Sequence, residues 1–128
     1  MENVIKGSLE TAGIKPDEIG HIHAHGLSSP KCDQEEAAAI SGLLNGTPVT
    51  AAKSYMGNLG AGSGIVEIMA SLMAMEKGEL FPTLNHDTPD PACDINLVTE
   101  GGTSAGETCL NLNITPQGQA SSLMLRKF

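Results

Sequence analysis

The sequence predicts an α/β domain, on three observations. Helical and extended patterns alternate as helix, strand, helix, strand, helix, and further strands follow; chains with that order lay helices against a sheet. Residues 65–75 form a helix with almost no polar face, and such a helix must be covered from more than one side. Hydrophobic residues make up 40% of the chain but aromatic ones only 2%, with no tryptophan, so the core is aliphatic and methionine-rich. The length of 128 residues is that of one domain with a core of its own.

In chain order, Asn3 to Ala12 reads as a helix with Val4, Leu9 and Ala12 as apolar support and Gly13 as its cap. Ile14 to Glu18 is turn-rich around Pro16. Ile19 to Ala24 reads as a short strand that runs into His25 and Gly26, and Leu27 to Cys32 is a polar loop. Asp33 to Leu44 is the next helix. Asp33 stands as its N-cap and Glu36 as the third residue of a capping box, with Ala37, Ile40, Leu43 and Leu44 at helical spacing. Gly46-Thr47-Pro48 breaks the chain, and Val49 to Ala52 is a second short strand leading to Lys53. A small-residue run, Gly60 to Gly64, allows close backbone approach; the apolar helix follows, closed by Gly78. Pro82 keeps Phe81 to Asn85 extended, and His86 to Asp94 is a loop with Pro89 and Pro91. Ile95 to Val98, Thr108 to Ile114 and Ser121 to Leu125 read as strands, the last two separated by Thr115 to Gln119.

Several residues carry chemistry. Glu67 is a lone carboxylate early in the apolar helix, and a buried carboxylate needs a partner or must stay neutral; Lys53 is the nearest plausible cation. His21, His23 and His25 recur at period two, which points all three to one face of an ideal strand. That spacing suits a metal in a small metal-binding domain. No nearby carboxylate or cysteine completes a ligand set, which favours the other reading, two buried strand residues and one loop residue. Cys32, Cys93 and Cys109 are too widely spaced for a disulfide framework or a zinc pattern and read as reduced thiols of a cytoplasmic protein. The net charge of −8 argues against a nucleic-acid partner. A membrane span is not expected, because Glu67, Ser71 and Glu76 interrupt the apolar helix, and the first residues lack the apolar region of a signal peptide.

Two stretches resemble one family. IGHIHAHGLSSPKCDQEEAAAI, residues 19–40, is similar to the ketoacyl-synthase signature of a strand ending in A-H-G, then T-S/T-T, then G-D-x-x-E. AAKSYMGNLGAGSGIVEIMASLMAMEKGELFPTLN, residues 51–85, resembles its T-K-S-x-x-G-H-x-x-G-A-A-G-x-x-E…P-P-T-x-N segment. Order and internal spacing both match. The resemblance is to the carboxyl-terminal half of a β-ketoacyl-acyl-carrier-protein synthase. It implies the carboxyl-terminal half of a thiolase-like fold over residues 1–128, with the amino-terminal half absent. That half-fold is a mixed five-stranded sheet with helices on both faces and one central buried helix.

The chemistry so implied is decarboxylative Claisen condensation of malonyl and acyl thioesters in fatty-acid or polyketide assembly. A cysteine of the amino-terminal half takes up the acyl chain, and two imidazoles stabilise charge on the thioester oxygen. By motif position, His25 matches the first imidazole, Lys53 the family's lysine, Glu67 the carboxylate that pairs with it, and Asp33 and Glu36 the carboxylates that brace the histidine loop. The second imidazole position holds Asn58, whose amide can still donate. Leu27 replaces the first pantetheine-binding threonine, while Ser29 keeps the second hydroxyl. Asn111 to Pro116 stands where the family has its glycine-rich oxyanion loop, and Cys109 reads as a structural thiol. The resemblance implies no bound cofactor, the substrate arriving on the phosphopantetheine of acyl carrier protein. It implies as partners that carrier protein and an amino-terminal half or partner ketosynthase subunit, in a homo- or heterodimer. The departures leave two readings open, an acyltransferase completed by a missing half and a non-catalytic partner of the chain-length-factor kind.

Overall fold

A computed structural model describes residues 1–115 and 117–128. Its helices are α1 (Glu2–Ala12), α2 (Pro30–Leu44), α3 (Lys53–Met56) and α4 (Ser63–Lys77); its strands are β1 (His21–His23), β2 (Val49–Thr50), β3 (Thr108–Ile114) and β4 (Ala120–Arg126). The strands form one mixed sheet in the order β2-β1-β3-β4. β1 runs parallel to β2, with Ile22 opposite Val49, and parallel to β3, with His21, Ile22 and His23 opposite Cys109, Leu110 and Asn111. β4 is antiparallel to β3 in a register that sets Thr108 against Arg126 and Ile114 against Ala120.

Alternation along the strands gives the two faces different chemistry. On one, Ile22, Val49, Leu110 and Leu112 pack with Ile5 and Leu9 of α1 and Ile40 and Leu44 of α2 into an aliphatic core. On the other, His21, His23, Cys109 and Asn111 are all buried, and α4 lies there, with Ala74 and Met75 against Cys109. Just before β1 and β3 the chain passes close to itself at Gly20 and Gly106. A Cβ on Gly20 would stand 2.8 Å from the Gly106 Cα, and one on Gly106, which has a φ of +64°, 2.5 Å from the Gly20 Cα; only glycine permits that approach.

Two expectations change, and one falls partly on a residue that is not described. The α2 helix starts three residues early, at Pro30, with Ser29 as its extended N-cap residue, because proline is pre-organised for the first helical position and its missing N–H costs nothing there. Asp33 and Glu36 are therefore not a cap and a capping-box partner. Among the described residues the sheet has four strands rather than five: Ile95–Val98 contributes one isolated bridge, Val49 to Leu97, beside the two-residue β2. The turn expected over Thr115 to Gln119 includes Pro116, which lies outside the described residues.

The central helix is covered on one side only, along Ser63, Glu67, Ser71, Ala74 and Met75, a side that holds its buried polar residues. Ser63, Glu67 and Ser71, four residues apart, are buried against the sheet. Ile65, Met69, Leu72 and Met73 occupy the opposite stripe and are 67%, 52%, 40% and 52% exposed. Among the described residues, no helix is long and apolar enough to cross a membrane.

Candidate functional site

The site gathers where β1 and β2 end, between the start of α2 and the buried edge of α4. β1 delivers His25 into a loop whose backbone is held by α2. Glu36 accepts the His25 N–H at 2.7 Å with one carboxylate oxygen and the Gly26 N–H at 3.0 Å with the other, and Asp33 accepts the Leu27 N–H at 3.1 Å. Side chains on a helix lean toward its N-terminus, so these two carboxylates, about one and two turns in from Ser29, reach back to the loop. Burial pushes both above the usual carboxylate range, against the opposing pull of the backbone N–H groups that they accept. Gly26 has a φ of +50°, and a Cβ there would meet the Ala51 Cβ at 2.9 Å. Ser29 is half-buried; its carbonyl accepts the Asp33 N–H at 2.8 Å, while its hydroxyl makes no capping bond.

Lys53 opens α3 directly below that loop. Only 8% of the residue is exposed, and Glu67 is 1% exposed. The Lys53 Nζ is paired with Glu67 Oε1, donates to the His25 carbonyl at 2.7 Å, and lies 3.3 Å from the His25 Nδ1. The expected pair is thus present, and His25 is its third member. Burial lowers the imidazole's pKa first, and the charge of Lys53 lowers it further.

The other two histidines do not join His25 around a common point. His23 accepts the Ala52 N–H on Nε2 at 3.1 Å, so its Nδ1 carries the proton and donates to the Ser71 hydroxyl at 2.8 Å. Burial is the main cause that lowers it to about 3, with the charges of His21 and Lys53 adding to it. His21 donates through Nδ1 to the Ala105 carbonyl at 2.7 Å. Among the described residues, no group of three or more histidine, cysteine, aspartate or glutamate side chains could hold a metal ion. The metal-binding reading has no ligand set here.

Asn58 stands apart from the network. It is exposed; its amide oxygen accepts the Gly60 N–H at 3.1 Å and the Ser63 hydroxyl at 3.0 Å, and Ser63 in turn accepts the Leu59 N–H. None of its bonds goes to His25, Lys53 or Glu67. Neither Cys93 nor Cys109 is an activated nucleophile. Cys109 is fully buried and pushed up to about 11 by burial, and Cys93 is raised by burial and by Asp90; catalytic thiolates need the reverse.

Sequence reasoning missed three participants. His23 supports the backbone that precedes Lys53, Ser71 orients His23, and Asn113 joins the pair itself. The Asn113 amide donates to Glu67 Oε2 at 3.1 Å and to Asn111 Oδ1 at 3.0 Å, and its oxygen lies 3.3 Å from the His25 Nδ1. The available signal was a match of periods: polar residues two apart on β3 facing polar residues four apart on α4. A cleft of about 950 Å³ opens beside the network, lined by Gly26, Asp33, Glu36, Lys53, Thr83 and Cys93 among others.

Comparison with known proteins gives a consistent result. Residues 1–87 match the family model of the β-ketoacyl synthase C-terminal domain. The chain is 38% identical over 98 residues to a 3-oxoacyl-(acyl-carrier-protein) synthase 2 of Synechocystis sp., covering 73% of this chain and 24% of that protein. It is 37% identical over 102 residues to a polyketide β-ketoacyl synthase of Streptomyces virginiae, covering 77% and 24%. The chain therefore spans about a quarter of the length of these curated relatives. A solved complex of a type II polyketide synthase acyl-carrier protein with its hexaketide-bound ketosynthase superposes with a TM-score of 0.93 at 31% identity, over 99% of this chain and 32% of that one. The ishigamide ketosynthase/chain length factor superposes with a TM-score of 0.91 at 28% identity, over 97% and 32%.

Proposed function

The chain belongs to the β-ketoacyl synthase family through its C-terminal domain, and from that premise we propose that it carries the charge-stabilising half of a condensing active site. It is a ketosynthase-like domain of fatty-acid or polyketide assembly, and its thiolase-like fold is shared with solved ketosynthases. The observation that carries the proposal is the buried junction of His25, Lys53 and Glu67. Lys53 has only protons to give, so the His25 Nδ1 meets it with a lone pair and the ring proton sits on Nε2. An imidazole in that form donates one hydrogen bond without carrying charge.

In the complete protein, malonyl thioester on the phosphopantetheine of acyl carrier protein loses carbon dioxide. The carbon–carbon bond to the carboxylate breaks, its electron pair enters the enolate, and negative charge gathers on the thioester oxygen. The His25 Nε2–H is the donor for that oxygen, pre-aimed by a loop that Glu36 and Asp33 hold. The enolate carbon then attacks the carbonyl of an acyl group on a cysteine supplied by an amino-terminal half or partner subunit; the new carbon–carbon bond forms, the carbon–sulfur bond breaks, and the cysteine leaves as thiolate. All three cysteines are free, which fits the cytoplasmic setting assumed here.

One observation favours a second reading, a non-catalytic partner of the chain-length-factor kind. Asn58, at the position of the second imidazole, has its oxygen tied into a turn and takes no part in the network. Co-expression with an amino-terminal ketosynthase half bearing a cysteine separates the two. The condensing reading expects decarboxylation of malonyl carrier protein, falling roughly 10²–10³-fold in His25→Ala, as on loss of one oxyanion donor. Turnover that is unchanged in His25→Ala contradicts it, and an assembled complex without turnover supports the partner reading.

A further inference from the structure

α3 carries Lys53 but holds little by itself. It is four residues long, closed by the Gly57 N–H donating to the Lys53 carbonyl at 2.8 Å, and a single helical turn is unfavourable without outside contacts. Residues 82–84 supply some of these. The Ala51 N–H donates to Thr83 Oγ1 at 3.1 Å, the Leu84 N–H to Ser54 Oγ at 3.0 Å, and the Tyr55 hydroxyl to the Pro82 carbonyl at 2.7 Å. A further tie runs to the sheet and on to α4. The Ala52 N–H, at the N-cap of α3, donates to His23 Nε2 at 3.1 Å, and His23 Nδ1 donates to the Ser71 hydroxyl of α4 at 2.8 Å. His23 and Ser71 are fully buried, and Phe81 packs on the ring with centroids 5.8 Å apart. Ala52 adjoins Lys53, and Ser71 lies one turn beyond Glu67 on the same face of α4, so the bridge runs beside the Lys53–Glu67 pair and joins the same two helices.

We propose that His23 is a positioning residue that fixes α3 against α4 and so sets Lys53 in place for Glu67 and His25. A lysine reaches its partners through a flexible four-carbon stem, while a hydrogen-bonded ion pair depends steeply on distance and direction. The backbone from which the stem starts must therefore be held. The imidazole suits that task because its two nitrogens are fixed in one rigid plane. The Ala52 N–H has only a proton to give, so Nε2 must be bare and Nδ1 must carry the hydrogen that Ser71 accepts. Without the ring, a buried N–H directly before Lys53 loses its acceptor, and the start of α3 loses its tie to α4. The role differs from a simple addition of stability, because it changes how strongly Lys53 and Glu67 sense each other.

This inference rests on the condensing reading only for its use, because the coupling of the pair is measured without substrate. The experiment is a double-mutant cycle on the full chain in urea, built from Lys53→Met and Glu67→Leu and repeated in His23→Leu and His23→Gln backgrounds. A loss of stability alone shifts every corner of a cycle alike and leaves the coupling unchanged. Positioning removes most of the coupling in His23→Leu and restores it in His23→Gln, whose amide keeps an acceptor for Ala52 and a donor for Ser71. Coupling that is unchanged in His23→Leu, or lost equally in His23→Gln, overturns the proposal. Where His23→Leu fails to fold, Ser71→Ala takes its place: it cuts one end of the bridge and should also weaken the coupling, and an unchanged value overturns the proposal. Nitrogen-15 NMR of the wild type tests the premise independently of any variant. His23 should show a bare Nε2 and a protonated Nδ1, and the opposite tautomer overturns the proposal. A complex without turnover whose cycles behave as expected would fault the condensing reading and uphold the positioning role.

Discussion

The pair of Lys53 and Glu67 is the residue on which the site turns, and its energetics follow from burial. Two charges lying almost wholly out of water hold each other, and removing one strands the other at a cost of about 3–5 kcal/mol. Glu67→Ala should lower the unfolding free energy by that order in urea titration. Lys53→Met with Glu67→Leu should cost far less than the two single changes together, and additive energies would remove the pair from the account. His23 gives a second prediction. Its folded pKa is depressed from 6.5 to about 3, so its contribution is fully present above 6.5 and is lost as pH falls toward about 3, where the unfolded chain has already taken up a proton. Melting temperature should fall through that window, and His23→Gln should flatten that part of the slope. A slope identical in the two proteins would assign the pH dependence to other groups. Asn58 belongs to this scale too: in a complex that turns over, Asn58→His should change the decarboxylation rate, and an unchanged rate would place position 58 outside the chemistry.

The elements explain what could be read from sequence and what could not. The helices closed by Gly13 and Gly78 and the long strand β3 were legible because caps and apolar spacing act locally, as was the link from Lys53 to Glu67, where a lone carboxylate in an apolar run demands a cation. The α2 start was misread because Asp33 and Glu36 have the spacing of a capping box, while their true acceptor role toward residues 25–27 depends on how the β1 loop folds back. The role of Asn113 was hidden for a similar reason, since it needs the register of β3 against β1 and the placement of α4. The α4 helix was legible in its composition but not in its orientation. An apolar surround implied burial; only the structure shows that its polar stripe faces inward, because the sheet face beneath it presents His23, Asn111 and Asn113. This orientation yields a test. Ile65→Lys with Met69→Lys should change unfolding free energy by only about 0.5 kcal/mol, as for other exposed positions, while suppressing association of the chain. A loss of several kcal/mol would mean that the stripe is part of the chain's own core.

At the scale of the whole molecule, those two faces of α4 set the central claim. The covered face builds a site around His25, and the open face leaves Ile65, Met69, Leu72 and Met73 in water as one apolar stripe, the kind of surface that marks an interaction site. A second layer that covers this stripe and brings a cysteine to His25 would answer both needs at once, and the proposal assigns both to an amino-terminal half or partner subunit. The most direct test is size-exclusion chromatography with light scattering on the isolated chain, read together with binding of a hydrophobic dye. The account predicts self-association or strong dye binding, relieved when an amino-terminal ketosynthase half is co-expressed. A sharp monomer peak without dye binding, and with a cooperative melt, would show that the chain closes its own core and would contradict the account.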